Sequence, residues 1–386
     1  MSLADGKFVV ATPTRTVCDD NARALEKVGR LRFLALGTRK GTHGVPPEHT
    51  LLKPAIGLAA YVAARALSTY WGEWCRFGLL PWFDRWVQKQ LIPGDHILSS
   101  YGYTTSCFRW VRAHGGTTFL DAGNSHIENY WEIISEEHRR WNCPLPPFAP
   151  HWLRRSREML EHTDVVLSPS SWVTESFLKR GFRPEQILRN VYPLDLRCFT
   201  PPTEPRPKEQ PLTVISTGQL SLRKGTPYLL EAFRMVLRRE PAARLLLTTA
   251  IADSIKPILH RYSDLPIDWS PSLPHPQLAE RLRSADVFVL PSLEEGMART
   301  ATEALACGLP VVVTHNSGAA DLVKPGISGT IVPVRDPTAI ASAILEWGET
   351  LRTRTEPPSR SIDPALLSYE RFQTEFLEQL RALGMQ

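Results

Sequence analysis

Residues 284 to 310 run Ser284-Ala-Asp-Val-Phe-Val-Leu-Pro-Ser-Leu-Glu-Glu-Gly-Met-Ala-Arg-Thr-Ala-Thr-Glu-Ala-Leu-Ala-Cys-Gly-Leu-Pro310. The run Asp286–Leu290 reads as a buried apolar strand that stops at Pro291. A loop carrying Glu295-Gly296 follows, and an alanine-rich helix begins near Ala298 or Arg299. Strand, loop and helix in this order form the unit from which parallel sheets are built. Free backbone N–H groups over Met297, Ala298, Arg299 and Thr300, with the positive end of the helix dipole, make an anion site suited to a diphosphate. Gly296 is expected to let the backbone come close to it. Glu303, about one turn into the helix, leans back toward the same site and can accept hydrogen bonds from two vicinal hydroxyls. Glu295 would sit across the bound phosphates, so that one carboxylate holds ribose and the other the sugar.

Strand-like runs alternate with helix-length segments on both sides of this unit, which places the chain in the α/β class. In the second half the strands are expected at Thr213–Thr217, Arg244–Thr249, Ile267–Trp269, Asp286–Leu290, Pro310–Thr314 and Thr330–Val334. In the first half they are expected at Lys7–Thr12, Leu31–Gly37, His96–Tyr101, Thr117–Asp121, Asp164–Pro169 and Ile187–Val191. Between them Phe199-Thr-Pro-Pro-Thr-Glu-Pro-Arg-Pro-Lys-Glu-Gln-Pro211 has no apolar periodicity and cannot continue a sheet interior, so it reads as a linker. The expected organisation is a domain over 1–198, a linker over 199–211 and a second domain over 212–365. Two doubly wound sheets facing each other across a linker put the reaction in the cleft, at the carboxyl ends of the strands.

A second loop of the C-terminal half carries charge. Val214-Ile-Ser-Thr-Gly-Gln-Leu-Ser-Leu-Arg-Lys-Gly-Thr-Pro-Tyr-Leu-Leu-Glu-Ala-Phe233 reads as a strand, a turn at Gly218, the basic pair Arg223-Lys224, then a helix. Basic residues near a turn are often only solvated. Their position in the first loop of the domain suits them to neutralise a departing diphosphate.

At these residues the chain resembles the large GT-B family of retaining glycosyltransferases usually numbered four. Its signature is Glu-x7-Glu followed by a Glu-Ala-x-Ala-Cys-Gly-x-Pro-Val-like run, matched here by Glu295…Glu303-Ala-Leu-Ala-Cys-Gly-Leu-Pro-Val311. Two glutamates eight apart are common by chance, and the extended run is what separates this case from coincidence. The resemblance extends over most of residues 160 to 345, and it implies the GT-B fold with two Rossmann-like domains. It also implies a C-terminal helix, within 366–386, that crosses back to the first domain, and donor contacts from Gly218, Arg223, Lys224, Glu295, Gly296, Met297, Ala298, Arg299, Thr300 and Glu303. The family places an arginine directly after the strand-end glycine, where this chain has Gln219. Arg223 is expected to supply the missing charge.

The N-terminal half matches the family weakly, as a domain facing a variable acceptor would. Thr117-Thr-Phe-Leu-Asp-Ala-Gly-Asn-Ser-His126 is a strand, a polar turn and the start of a helix. His126 therefore lies at a strand's carboxyl end, and in the resembling family a histidine of this region contacts the donor sugar; helix capping or a buried structural role is the alternative. With Glu295, Arg223 and Lys224 it completes the expected catalytic set. Arg15 and Asn124 are candidates for acceptor contact. The segment Tyr70-Trp-Gly-Glu-Trp-Cys-Arg-Phe-Gly-Leu-Leu-Pro-Trp-Phe-Asp-Arg-Trp86 is dense in tryptophan, and three readings stay open for it: core, acceptor groove, or peripheral membrane contact.

Composition removes other classes. The net charge of +5 over 386 residues comes with no arginine-rich arm and no zinc-finger spacing, so no nucleic acid partner is expected. The six cysteines are scattered without a CxxC pair, and the N-terminus runs straight into a strand, so a cytoplasmic location is expected. No Asp-x-Asp pair follows a strand, which predicts a site without a metal and no cofactor beyond the substrate. The expected partners are a nucleotide-sugar donor and a glycan or glycolipid acceptor. Same-fold alternatives are a nucleotide-sugar epimerase or a phosphorylase, and outside enzymes a non-catalytic nucleotide-sugar-binding protein.

Overall fold

The computed structural model describes residues 6–385 except 14–15, 39–43, 67–68, 147, 208, 249 and 253–254, so Arg15 lies outside the described residues. A first sheet holds β1 (Phe8–Thr12), β2 (Leu31–Leu36), β3 (Thr50–Leu52), β4 (His96–Ser100), β5 (Thr118–Asp121), β6 (Val165–Ser168) and β7 (Ile187–Arg189). Helices α1 (Cys18–Lys27), α2 (Ala55–Ala66), α3 (Thr69–Gly78), α4 (Leu80–Gln88), α5 (Thr105–Ala113), α6 (Ile127–Arg140), α7 (Ala149–Glu161) and α8 (Ser171–Leu178) connect its strands. A second sheet holds β8 (Thr213–Thr217), β9 (Arg244–Thr248), β10 (Ile267–Ser270), β11 (Val287–Leu290), β12 (Val311–Thr314) and β13 (Gly329–Val332). Around it lie α9 (Thr226–Leu237), α10 (Lys256–Leu259), α11 (His275–Arg283), α12 (Arg299–Ala306) and α13 (Pro337–Thr353), and α14 (Tyr369–Ala382) closes the chain.

Both sheets are parallel, with orders β3-β2-β1-β4-β5-β6-β7 and β10-β9-β8-β11-β12-β13. In each the first strand of the series sits at the centre and the chain winds outward both ways, so the crevice opens beside β1 and β4 in one sheet and beside β8 and β11 in the other. Because side chains alternate across a strand, one strand feeds two cores. Val287 and Val289 enter the cluster under α9 and α13, whereas Phe288 and Leu290 enter the one that includes α12. Burial on both faces is why these strands are continuously apolar.

The strand β3 was not expected from the sequence. It is three residues long, half exposed and follows a proline pair, so neither length nor alternation marks it. Leu196, ahead of the proline-rich stretch, and Phe199, its first residue, are already buried in the C-terminal core. Helix α14 returns to the first sheet: Phe376 and Leu380 join the cluster of Phe8, Val10 and Leu25, and Gln379 donates to the Arg189 carbonyl at 2.8 Å. In the tryptophan-rich segment Leu80, Phe83 and Val87 point inward, whereas Trp74 and Trp82 are exposed; the side chains of Tyr70 and Trp71 lie outside the described ones. Among the described residues no helix is long and apolar enough to cross a membrane.

Candidate active site

The charged loop of the second sheet is held by two glycines with positive φ. Gly218 (φ +103°) turns the chain out of β8, and Gly225 (φ +67°) caps α9. A Cβ on Gly225 would lie 1.9 Å from the Pro291 carbonyl, so only glycine allows this loop to seat on the end of β11. The seat is sealed by the Leu293 N–H donating to the Arg223 carbonyl at 2.8 Å. As a result Arg223 and Lys224 from one loop meet Glu294 and Glu295 from the next. Arg223 donates to the Glu294 carbonyl at 2.8 Å and to the Glu295 carboxylate at 3.1 Å, and Lys224 donates to the same Glu295 oxygen.

Burial sets the direction of each charge. Desolvation works against the Glu295 anion, yet Lys224 and Arg223 outweigh it and hold its carboxyl below the usual range. Burial likewise opposes the Arg223 charge, and Glu295 and Glu294 overcome it. Lys224 is drawn down by burial despite Glu295. Glu294, fully buried, is pushed up by desolvation; its other contact is the Ser125 N–H of the first sheet, 2.8 Å away.

On α12, no side chain caps Ala298, and Arg299 is exposed at the first turn. Glu303 is only 6% exposed, one of its carboxylate oxygens has no hydrogen-bond partner, and burial pushes its pKa up to about 7 against the pull of Arg299. A buried carboxylate with an idle acceptor is costly unless a ligand hydroxyl completes it.

A cavity of about 760 Å³ lies between the sheets. Gln219, Ser221 and Arg223 line it from the second sheet; Asp121, Asn124 and a set of aromatic rings line it from the first. Phe77 stacks on Phe148 with centroids 4.4 Å apart, and Trp152 meets Phe77, Tyr101 and Tyr130 edge-on. Asp121, at the end of β5, accepts hydrogen bonds from Tyr192 at 2.9 Å and Cys18 at 3.2 Å, and burial raises it to about 6. At Gly296 the close neighbour is protein. A Cβ there would lie 2.1 Å from the Gly123 carbonyl, so this glycine brings the loops of the two sheets together.

His126 is the N-cap of α6. Its Nδ1 accepts from the Glu128 N–H at 3.2 Å, and its ring packs edge-on against Phe177 and Phe182. Burial, helped by Arg180, lowers its pKa to about 4, so the ring is neutral. It is not among the residues lining the cavity; Gly123 and Asn124 of the same turn are.

Residues 211–349 match the model of the family described as Glycosyl transferases group 1. The chain is 30% identical over 278 residues to the D-inositol 3-phosphate glycosyltransferase of Frankia alni, covering 61% of this chain and 67% of that one. The chain belongs to the group 1 glycosyltransferase family. It is 29% identical over 206 residues to WcaL of Salmonella typhimurium, a glycosyltransferase named for colanic acid biosynthesis, and it spans about half the length of the WcaL relatives it matches. In three dimensions it superposes on the sucrose-phosphate synthase of Thermosynechococcus elongatus with a TM-score of 0.70 at 21% identity, covering 98% of this chain and 99% of that one. On Anabaena HepE, solved with UDP-glucose, the TM-score is 0.63 at 16% identity, with 97% and 99% covered. These likenesses give the chain the GT-B fold.

Two residues of this candidate site escape a sequence reading. Glu294 stands beside Glu295 in the loop, and only its zero exposure and its bond to Ser125 show that it joins the two sheets. Asp121 ends a predicted strand five residues before His126, and the strand's carboxyl end was signal enough to include it. Among the described residues no group of three or more His, Cys, Asp or Glu is placed to hold a metal ion.

Proposed function

We propose that this chain transfers a sugar from a nucleotide diphosphate sugar to a hydroxyl of a glycan or lipid-linked acceptor, with retention and without a metal. The observation that carries it is the meeting of Lys224 and Glu295 with Arg223, which itself lines a cavity walled by both sheets. In this reading the domain of residues 1–198 takes the acceptor and that of 212–365 the donor. The donor diphosphate takes Arg223 and Lys224 over from Glu295, and the freed carboxylate turns to the sugar. Glu303 receives the ribose hydroxyls on its idle oxygen. Fixed cations then stabilise the leaving diphosphate as the bond from the anomeric carbon to phosphate oxygen breaks. The acceptor hydroxyl bonds to that carbon from the same side and gives its proton to the departing phosphate. Asp121 faces the space where that hydroxyl would stand.

The decisive experiment is calorimetric binding and slow donor hydrolysis across a panel of nucleotide sugars, uridine diphosphate sugars first because HepE was solved with one. Binding of one donor, with release of its nucleoside diphosphate unaffected by EDTA, is expected. A folded protein that binds none of them, or one that needs Mg²⁺ or Mn²⁺ for hydrolysis, would overturn the reading.

We infer further that the exposed Leu58, Tyr61, Val62 and Trp74 of α2 and α3 lie against the inner face of a membrane, beside the cavity that Phe77 of α3 lines. Lys53, seated 4.9 Å over the Trp82 ring, supplies a nearby cation. Salt-sensitive sedimentation with anionic vesicles, lost in Trp74→Glu, is the expected result; no sedimentation at low salt contradicts it.

A further inference from the structure

At the opposite end of the second sheet from the donor loops lies a pocket of about 240 Å³, where β12 and β13 begin. Its charged lining is entirely positive: Lys324, Arg354 and Arg360, with the hydroxyls of Ser328, Ser359 and Ser361 between them and no carboxylate. Many arginines of this chain meet an acid, as Arg352 two residues away does with Glu240 at 2.7 Å. None of these three cations forms an ion pair among the described residues, and Arg360 spends its donors on carbonyls, Phe199 at 2.8 Å and Ala306 at 3.4 Å. Like charges gathered without a counter-charge cost free energy that an anion recovers.

The place matters as much as the charge. Arg354, Ser359, Arg360 and Ser361 belong to the segment that leaves α13 and carries the chain back to α14 on the first sheet. Phe199 opens the proline-rich stretch that carries the chain forward between the sheets, and a Cβ on Gly308 would touch both segments, 3.1 Å from the Ser359 carbonyl and 3.4 Å from Pro201. The pocket therefore sits where both crossings between the two halves touch the second sheet.

We propose that this pocket binds a phosphate monoester, which ties the returning segment to the start of β12 and β13. Arg354 offers a forked set of N–H donors that matches phosphate oxygens, and Lys324 adds an ammonium and Ser359 a hydroxyl, whereas Ser328 and Ser361 already donate to the Lys324 and Leu305 carbonyls. The volume is below the roughly 300–1,000 Å³ of pockets for drug-sized ligands, so the ligand is small. The site lies apart from the sugar-transfer reading and does not need it.

Titration with inorganic phosphate against chloride at matched ionic strength, followed by ³¹P line broadening and by hydrogen exchange of residues 354–363, tests this. Saturable binding is expected, with slowed exchange in that segment. Arg354→Gln should weaken it roughly 10-fold and the pair Lys324→Glu, Arg354→Glu at least 100-fold, since each charge-assisted contact is worth about an order of magnitude or more. Both side chains are exposed, so the variants should melt like the wild type. Lys224→Ala separates this pocket from the donor loop: binding should survive it. No saturable binding to the wild type, binding that survives the double charge reversal, or binding abolished by Lys224→Ala would each overturn the proposal.

Discussion

On the C-terminal rim of the cleft the charges are dense and mostly compensated, with Arg223 and Lys224 sharing the Glu295 carboxylate, while Glu303 one helix turn away is left without a partner on one oxygen. On the N-terminal rim the wall is aromatic, Asp121 is satisfied by Tyr192 and Cys18, and His126 is spent on capping α6. The first rim holds its cations and carboxylates in contact with one another. The second sets stacked and edge-on aromatic rings beside a few titratable groups, Glu73, Arg76 and Asp121 among them. Each rim also carries a buried group whose charge burial disfavours, and the two shift in opposite directions: Glu303 is pushed up and His126 is drawn down.

The largest expected effect exposes that opposition. Glu303 is raised from 4.5 to about 7, so its stabilising share is present below the unfolded value and is lost as pH climbs toward 7. His126 is lowered from 6.5 to about 4, so its share is present above 6.5 and is lost as pH falls toward 4. Each shift corresponds to about 3 kcal/mol, and between 4.5 and 6.5 their slopes oppose. Glu303→Gln should remove one slope: relative to wild type it gains up to about 3 kcal/mol at pH 8 and little at pH 4. His126→Asn, which keeps a capping side chain, should gain at pH 4 and not at pH 8. Urea unfolding across pH measures both. Differences from wild type that do not vary with pH would show that neither group carries its charge penalty in the folded state.

A smaller effect separates the two cations that Glu295 joins. A charge-assisted hydrogen bond to phosphate is worth about 1.5–3 kcal/mol, so Lys224→Ala and Arg223→Ala should each lower turnover roughly 10- to 150-fold. They should differ in stability, because Arg223 also faces the buried Glu294, which would be left with the Ser125 N–H. Chemical denaturation should therefore show Arg223→Ala the less stable of the pair. Gln219 lines the cavity in the position where the family carries arginine, and Gln219→Arg in the Arg223→Ala background should recover part of the turnover. Steady-state kinetics in which Arg223→Ala is nearly silent and Lys224→Ala severe would assign Arg223 to structure alone.

The same contrast explains what could be read from the chain. The two charged loops of the second sheet are local: Gly218 to Gly225 and Glu295 to Glu303 are short runs set by spacing along strand, turn and helix, so their places in the fold could be read from the chain. The central strands were legible for the same reason, each apolar on both faces, whereas β3 at the edge is short and half-exposed. The aromatic wall is not local. Phe77, Tyr101, Tyr130 and Trp152 come from α3, the end of β4, α6 and α7, and no periodicity links them. Gly296 shows the limit from another side. The Gly123 carbonyl that Gly296 meets depends on how the chain closes in space, whereas the Glu128 N–H that His126 caps is two residues away and matches the capping alternative open in the sequence.

The smallest expected effect probes that wall directly. Phe77 stacks on Phe148 at an interplanar angle of 7° and meets Trp152 at 62°, so it fixes both rings against the cavity. An aromatic pair is worth about 0.5–1.5 kcal/mol beyond its buried area, which sets the expected loss of acceptor recognition at roughly 2- to 12-fold. Phe77→Leu keeps an apolar side chain and removes the ring face, so it should raise the acceptor KM by that factor while slow donor hydrolysis without acceptor stays at the wild-type rate. Phe77→Ala should do the same and also cost stability through the space it opens. If the two variants leave acceptor KM unchanged and slow donor hydrolysis instead, the wall acts on the donor sugar, and the division of labour between the rims fails at its aromatic side.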